Sequence, residues 1–498
     1  MIRVGRTHAF ALAWTLALAL APAPALAQLP SLGDAYELTP SAERRIGERI
    51  ARELYRDPDY IDDPLLGEYV QTLWRPLLAA ARLRGEMTPE LDRRYAWRVL
   101  LGRDRSINAF ALPGGWLGLH LGLVAVTTTR DELASVLAHE LSHVTQRHIA
   151  RMMAQDKRQT PWVIGAIILG ALAASKSPDA AAALITGGQA AAVQGQLNFS
   201  RDMEREADRI GLGVLTQAGF EPQGFVTMFE KLQQASRLND NGAFPYLRTH
   251  PLNLERVVDM RSRQPLGERP AAPPPDLEHA LMAARARALS AGGVELQQAL
   301  VREADNVPAA ASRAQRAAAG YAGALAAMQL REPARALRYA DQLAPLVADH
   351  AAGARLARLL SAQLALDAGD SARAWAESGA GLVSRRPELL LSSQAAVRLG
   401  RPAEAAQRLQ TWVTLVPSDA AAWQLLASAQ AAQGQALRAI RSEAEVRVAN
   451  LDYPAAMDRL RAAQDLARRG TSDHIEASII DTRARVVESL LREQALER

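Results

Sequence analysis

The chain has 498 residues, 58 Lys and Arg against 54 Asp and Glu, a formal charge of +4, 49% hydrophobic residues and no cysteine. That length gives room for two to four domains, each able to bury its own core, so more than one fold is expected. Interspersed charge excludes the clustered basic face of a nucleic-acid binder. The lack of Cys excludes disulfides and thiolate ligands, leaving imidazoles and carboxylates to hold any metal.

At the start, Arg3 and Arg6 precede an apolar run from Phe10 to Leu20 and the small-residue site Ala25-Leu26-Ala27. This is the pattern of a cleaved secretory signal over residues 1–27. The mature chain is then expected to begin near Gln28 and to reside in the periplasm. From Leu38 to about Arg263, helical and strand-like segments alternate, and residues 28–263 are expected to form one catalytic domain. The stretch INAFALPGG, residues 107–115, alternates like a strand that Pro113-Gly114-Gly115 stops abruptly. As an exposed edge it could add an extended substrate by backbone pairing, with Asn108, Phe110 and Leu112 as the substrate-strand candidates.

Next comes TRDELASVLAHELSHVTQRH, residues 129–148. Thr129 can cap a helix and Glu132, three residues on, can return a bond to the cap's backbone. Ala134, Leu137, Ala138, Leu141 and Val144 supply an apolar stripe. His139 and His143 stand one turn apart on one face, where both rings can reach a single ion. Glu140 points about 100° away from His139, beside the ion position without being a ligand. His148 is expected to point off this face and to decorate the helix end.

A hydrolytic metal site needs a third ligand. In NFSRDMEREADRIG, residues 198–211, Ser200 can cap another helix that places Glu204 and Asp208 four apart on one face. His139, His143 and Glu204 would leave one position of a tetrahedral zinc ion open. Spacing alone favours Asp208 as an acceptor for the free ring NH of a ligand His, and Glu206 points elsewhere. Between the two helices, residues 161–195 are strongly apolar. The run Trp162 to Ala174 is too short to span a bilayer, so it is read as a buried hairpin or a peripheral membrane contact. His250, in PYLRTHPLNLER, is a further candidate. His120, His279, His350 and His474 show no partner pattern.

Residues 264–276, QPLGERPAAPPPD, read as a stiff linker. Residues 277–498 are rich in helix formers and repeat: Gly369, Gly400 and Gly434 are each followed five residues on by Ala374, Ala405 and Ala439. The spacing resembles the tetratricopeptide repeat, in which small residues let two antiparallel helices pack closely. REPARALRYADQL, around Ala336, looks like a degenerate copy. Stacked helix pairs would bind rather than catalyse.

Taken together, HELSH at 139–143, VTQRH at 144–148 and EREAD at 204–208 resemble the gluzincin metallopeptidases of the HtpX type, as does NAFALPGGWLGLHLGL at 108–123. The resemblance implies an α+β zincin-like domain, mostly helical with a small sheet, followed by an all-α tetratricopeptide-like solenoid. It implies one Zn2+ per chain, held by His139, His143 and Glu204, and a periplasmic endopeptidase in which Glu140 takes the proton of the attacking water. In this family the aspartate at the position of Asp208 is assigned as a proton donor, which sets it beside Glu140 among the catalytic candidates. A histidine in a Thr-His-Pro segment, here His250, either assists catalysis or caps the metal and holds the enzyme inactive. The expected substrates are misfolded or unassembled outer-membrane proteins, with the repeats recruiting them or the assembly machinery. The alternative is a chaperone or scaffold for outer-membrane assembly with a latent zinc site.

Overall fold

The computed structural model describes residues 38–155, 200–238, 245–264, 276–379, 385–470 and 473–495. The expected signal peptide, the apolar segment 161–195 and the linker residues 265–275 lie outside the described residues. The described part is mostly helical, with one three-stranded sheet.

Three helices lead in: α1 (Pro40–Arg56), α2 (Pro64–Leu83) and α3 (Pro89–Arg94), each with Pro in its first turn and a Thr or Asp side chain capping it. Proline suits that position because its missing N–H would have had no helical partner there. The sheet follows as β1 (Arg98–Gly102), β2 (Ala109–Leu112) and β3 (Trp116–His120) in the order β1-β3-β2, with β3 parallel to β1 and antiparallel to β2. The β2–β3 turn needs Gly114 and Gly115, at φ 72° and 83°, where other residues would be strained. The turn seats on α1, where a Cβ on Gly47 would fall 1.9 Å from the Pro113 carbonyl oxygen.

Strand β3 is buried along its whole length and runs into the short helix α4 (Leu121–Val126). The zinc-motif helix is α5 (Arg130–Thr145). Thr129 caps it, accepting from the Glu132 N–H at 3.2 Å. The expected reciprocal bond reaches one residue further back, since Glu132 Oε2 accepts from the Thr128 N–H at 2.7 Å and is held by Lys231 at 2.6 Å. Helix α6 (His148–Gln155) follows a break at Arg147, whose φ is 54°. Helices α7 (Arg201–Gln217) and α8 (Gln223–Leu238) pack on α5, and α9 (Pro245–Thr249) and α10 (Leu254–Ser262) close this part of the molecule.

Among the remaining described residues, α11 (Leu277–Ser290) and α12 (Val294–Asp305) come first and both pack on α13 (Arg313–Gln329), which pairs with α14 (Pro333–Val347). Four more helix hairpins follow, α15/α16 (Ala351–Asp367, Ser371–Glu377), α17/α18 (Arg386–Arg398, Pro402–Leu415), α19/α20 (Ala420–Ala432, Ala436–Ala449) and α21/α22 (Tyr453–Arg468, His474–Ala495). The turns inside α15/α16, α17/α18 and α19/α20 hold Gly369, Gly400 and Gly434 at φ 88°, 75° and 70°, and Ala374, Ala405 and Ala439 are buried.

This helical array packs directly on the metal-site part. Helix α11 lies on α4, and one apolar core runs from α2 and α5 through α11 into α15. His279 is buried at that junction, within 2.6 Å of the Tyr69 hydroxyl and 3.0 Å of the Thr127 carbonyl just ahead of α5. Arg285 makes a two-pronged ion pair with Asp63 at 2.8 and 2.6 Å. Farther along the array, Arg355 reaches Glu68, Arg386 reaches Asp62, and Arg52 of α1 donates to the Leu451 carbonyl.

Candidate metal centre

The site is built where α5, α7 and the turn after α9 meet. Helix α5 is amphipathic only in a formal sense, because both of its faces are covered and His139, Glu140 and His143 are each at most 1% exposed. Ser200 caps α7, accepting from the Met203 N–H, and this directs Glu204 and Asp208 at α5. The two helices approach closely because residue 211 is glycine: a Cβ there would lie 3.2 Å from both the Ala138 carbonyl oxygen and the His139 Cα.

One potential donor atom from each of His139, His143, Glu204 and His250 falls within 4.8 Å of the others, and all four residues are buried. His139 Nε2 is 3.0 Å from His143 Nε2 and 3.5 Å from Glu204 Oε2. His143 Nε2 is 3.4 Å from Glu204 Oε1. His250 Nδ1 is 3.4 Å from His139 Nε2 and 3.0 Å from Glu204 Oε1. Ligands about 2.0–2.1 Å from a tetrahedral zinc ion stand roughly 3.3 Å from one another. These spacings are therefore the edges of a zinc-sized tetrahedron, and imidazole with carboxylate is a donor set that suits zinc.

The atoms facing away from this centre are held in place. His139 Nδ1 lies 2.9 Å from Asp208 Oδ1, which favours the tautomer with its Nε2 lone pair turned inward. Asp208 is gripped in turn by Arg256, whose Nε and Nη2 donate to its two oxygens at 2.7 and 2.8 Å. His143 Nδ1 is 2.9 Å from His148 Nδ1, and His148 Nε2 is 3.1 Å from Glu206. His148 does not decorate the helix end as expected: the break at Arg147 swings its fully buried ring behind His143. Glu206, though not a metal-site donor, anchors that ring. Arg256 and the His148–Glu206 pair carry no local spacing signal. Tyr246, stacked on His250 with ring centres 4.6 Å apart, was equally silent in the sequence.

Charge follows from this burial. Glu140 has both oxygens sealed from solvent without a well-aligned hydrogen bond, Tyr246 offering only a weak one. Burial pushes its carboxyl above the ordinary value, against the pull of His250 and His139. Burial lowers His143 well below the usual histidine range, the neighbouring His139 adding to the effect. Glu204 is penalised by burial but held well below the usual carboxylate range by His250 and His139. Burial pushes His148 down to about 4 despite Glu206, so it is neutral at pH 7. His250 Nε2 stands 3.5 Å from Glu140 Oε1, between the motif glutamate and the donor set. Among the substrate-strand candidates, Asn108 and Leu112 are buried and Phe110 is half-buried, packed across Gly118 of β3.

The model of peptidase family M48 matches residues 73–264, which contain every residue of this centre. The "Beta-barrel assembly-enhancing protease" of Yersinia pestis is 33% identical over 428 residues, 84% of this chain and 83% of that protein. The protein of the same name from Escherichia coli (strain K12) is 39% identical over 241 residues, 47% of each chain. A "Putative beta-barrel assembly-enhancing protease" of Vibrio cholerae is 37% identical over 238 residues, again 47% of each. The match thus spans about half the length of the Vibrio and Escherichia relatives. With a zinc-sized donor cluster inside the matched region and a match over most of the Yersinia protein, the chain belongs to the M48 metallopeptidases.

Proposed function

We propose that this chain is a zinc-dependent endopeptidase of the bacterial periplasm that degrades misfolded or unassembled outer-membrane proteins, its helical array recruiting them or the assembly machinery. The observation that carries the reading is the buried convergence of His139, His143 and Glu204, with Glu140 beside them and free of strong partners. The relatives' names, which speak of beta-barrel assembly, support this substrate class. The alternating Gly–Ala hairpins support a tetratricopeptide-like array suited to extended segments.

Bound zinc would supply Lewis acidity toward the scissile carbonyl. Glu140 does the proton work. Its raised pKa suits a base that takes a proton from water as the water oxygen bonds to the carbonyl carbon, then hands that proton to the amine as the C–N bond breaks. Asp208 acts through His139 rather than on substrate, since its oxygens are committed to His139 and Arg256. Strand β2 has a strand partner on one side only among the described residues, so an extended peptide can pair along Asn108–Leu112.

The second reading, a chaperone or scaffold with a latent site, is favoured by one observation: His250 Nδ1 stands within the donor set, in the place a water would need. One experiment separates the two. Metal content and digestion of an unfolded outer-membrane protein are measured for wild type, Glu140→Gln and His250→Ala. The peptidase reading expects stoichiometric zinc in all three, loss of about 10²–10⁴ in rate for Glu140→Gln, and faster digestion by His250→Ala. Equal digestion by wild type and Glu140→Gln would remove Glu140 as the base. No digestion by any of the three, with zinc bound, would favour the scaffold.

A further inference from the structure

Arg256 lies on α10, six residues past His250, and is 3% exposed. Every nitrogen of its guanidinium faces inward. Nε and Nη2 grip the two oxygens of Asp208. Nη1 lies 2.7 Å from Glu204 Oε2 and donates to the Pro251 carbonyl at 2.9 Å. Phe229 supports the group from its ring face at 5.2 Å. A guanidinium presents its donors in a rigid planar fork, so these acceptors are fixed relative to one another. Two of the residues it holds, Glu204 by an ion pair and Asp208 by hydrogen bonds, belong to α7, and the third is the residue directly after His250.

We propose that Arg256 is a positioning residue that latches the His250–Pro251 turn to the α7 carboxylates, so that the placement of the His250 ring and the orientation of Glu204 and Asp208 change together. The His250 ring leaves the donor set either by side-chain rotation or with the backbone at 250–251, and the bond from Arg256 to the Pro251 carbonyl opposes the second route. Proline at 251 has a fixed φ, which leaves a backbone shift there fewer ways to be absorbed before the carbonyl that Nη1 holds. A lysine at 256 would keep the charge, but a single ammonium lacks the fork that reaches acceptors on both sides at once. The inference rests on the metallopeptidase reading above and deepens it by naming what holds His250.

The test is a double-mutant cycle on the full chain, read by zinc affinity in competition with a chelator and by the visible spectrum of the cobalt-substituted protein. Arg256→Lys is expected to weaken zinc at least tenfold in the wild-type background and by a factor at least threefold smaller in His250→Ala, where only its grip on Glu204 and Asp208 is left to lose. Its cobalt spectrum should shift toward that of His250→Ala. Additive losses with an unshifted spectrum would overturn the proposal and leave Arg256 a structural counter-ion. Hydrogen exchange on wild type and His250→Ala tests the same idea without altering Arg256. The latch predicts that amides of residues 250–257 keep their protection within twofold when the imidazole is removed, whereas exchange more than tenfold faster would mean that the turn hangs on His250 alone. A wild-type protein that binds no zinc would instead defeat the metallopeptidase reading.

Discussion

His139 is pulled in two directions in the metal-free site. Burial disfavours its cation, Asp208 and Glu204 favour it, and the carboxylates win, raising its pKa to about 9. A metal needs the Nε2 lone pair, so binding must expel that proton. The sign follows: below pH 9 the metal-free ring is charged, and each unit of acidification costs about tenfold in apparent zinc affinity, whereas above it this dependence fades. Titration calorimetry at pH 7 in two buffers of different ionisation enthalpy should therefore find about one proton released per zinc bound. An affinity flat between pH 6 and 8 would contradict the His139–Asp208–Glu204 coupling. Residue-level legibility followed locality. His139 with His143, and Glu204 with Asp208, could be paired on paper because both are one helical turn apart. His148 could not, because extending the helix past Thr145 gives the wrong direction once Arg147 adopts φ 54°. Arg256 is 48 residues from Asp208, and no periodicity connects them.

At the level of elements, the site depends on how closely α7 can approach α5. Gly211 permits this approach, its missing side chain leaving room for Phe225 and for the backbone at Ala138 and His139. Valine there must push the helices apart, because two of its three nearest neighbours are backbone and cannot rotate away. Overpacking of this kind costs about 1–3 kcal/mol, and the shift falls on His139 itself. Gly211→Val is expected to lower the urea midpoint and to reduce zinc content more than an overpacked site elsewhere in the core would. Unchanged metal content would show that α7 reaches Glu204 into place by another route. The same element logic explains what the sequence pattern of the array revealed. Glycines in left-handed turns five residues before a buried alanine made three hairpins visible. The hairpin α13/α14 looked degenerate because Arg331, at φ 64°, occupies the turn that glycine fills elsewhere.

The described residues on either side of the expected stiff linker, 264–276, belong to one compact unit. The reason lies in pairs too far apart in sequence to leave a pattern. Asp63 caps α2 by accepting from the Leu66 N–H, and its carboxylate also takes both prongs of Arg285, 222 residues away. Arg285 is 2% exposed and is further bonded to Tyr321 and Gln363. Removing one partner of such a pair strands the other charge in the core, a loss of about 3–5 kcal/mol. Replacing both by apolar residues of similar volume is often neutral. Asp63→Ala should therefore lower the melting temperature and split one calorimetric transition into two, with the array released from α2 and α4. Asp63→Leu combined with Arg285→Met should recover much of the loss. His279 ties the same junction to the Thr127 carbonyl, two residues before the cap of α5, so loosening it disturbs the start of the metal-binding helix. Asp63→Ala is accordingly expected to weaken zinc retention as well as stability. A variant that melts early yet keeps wild-type zinc affinity would mean that the array stabilises the catalytic part without holding its metal-binding helix in register.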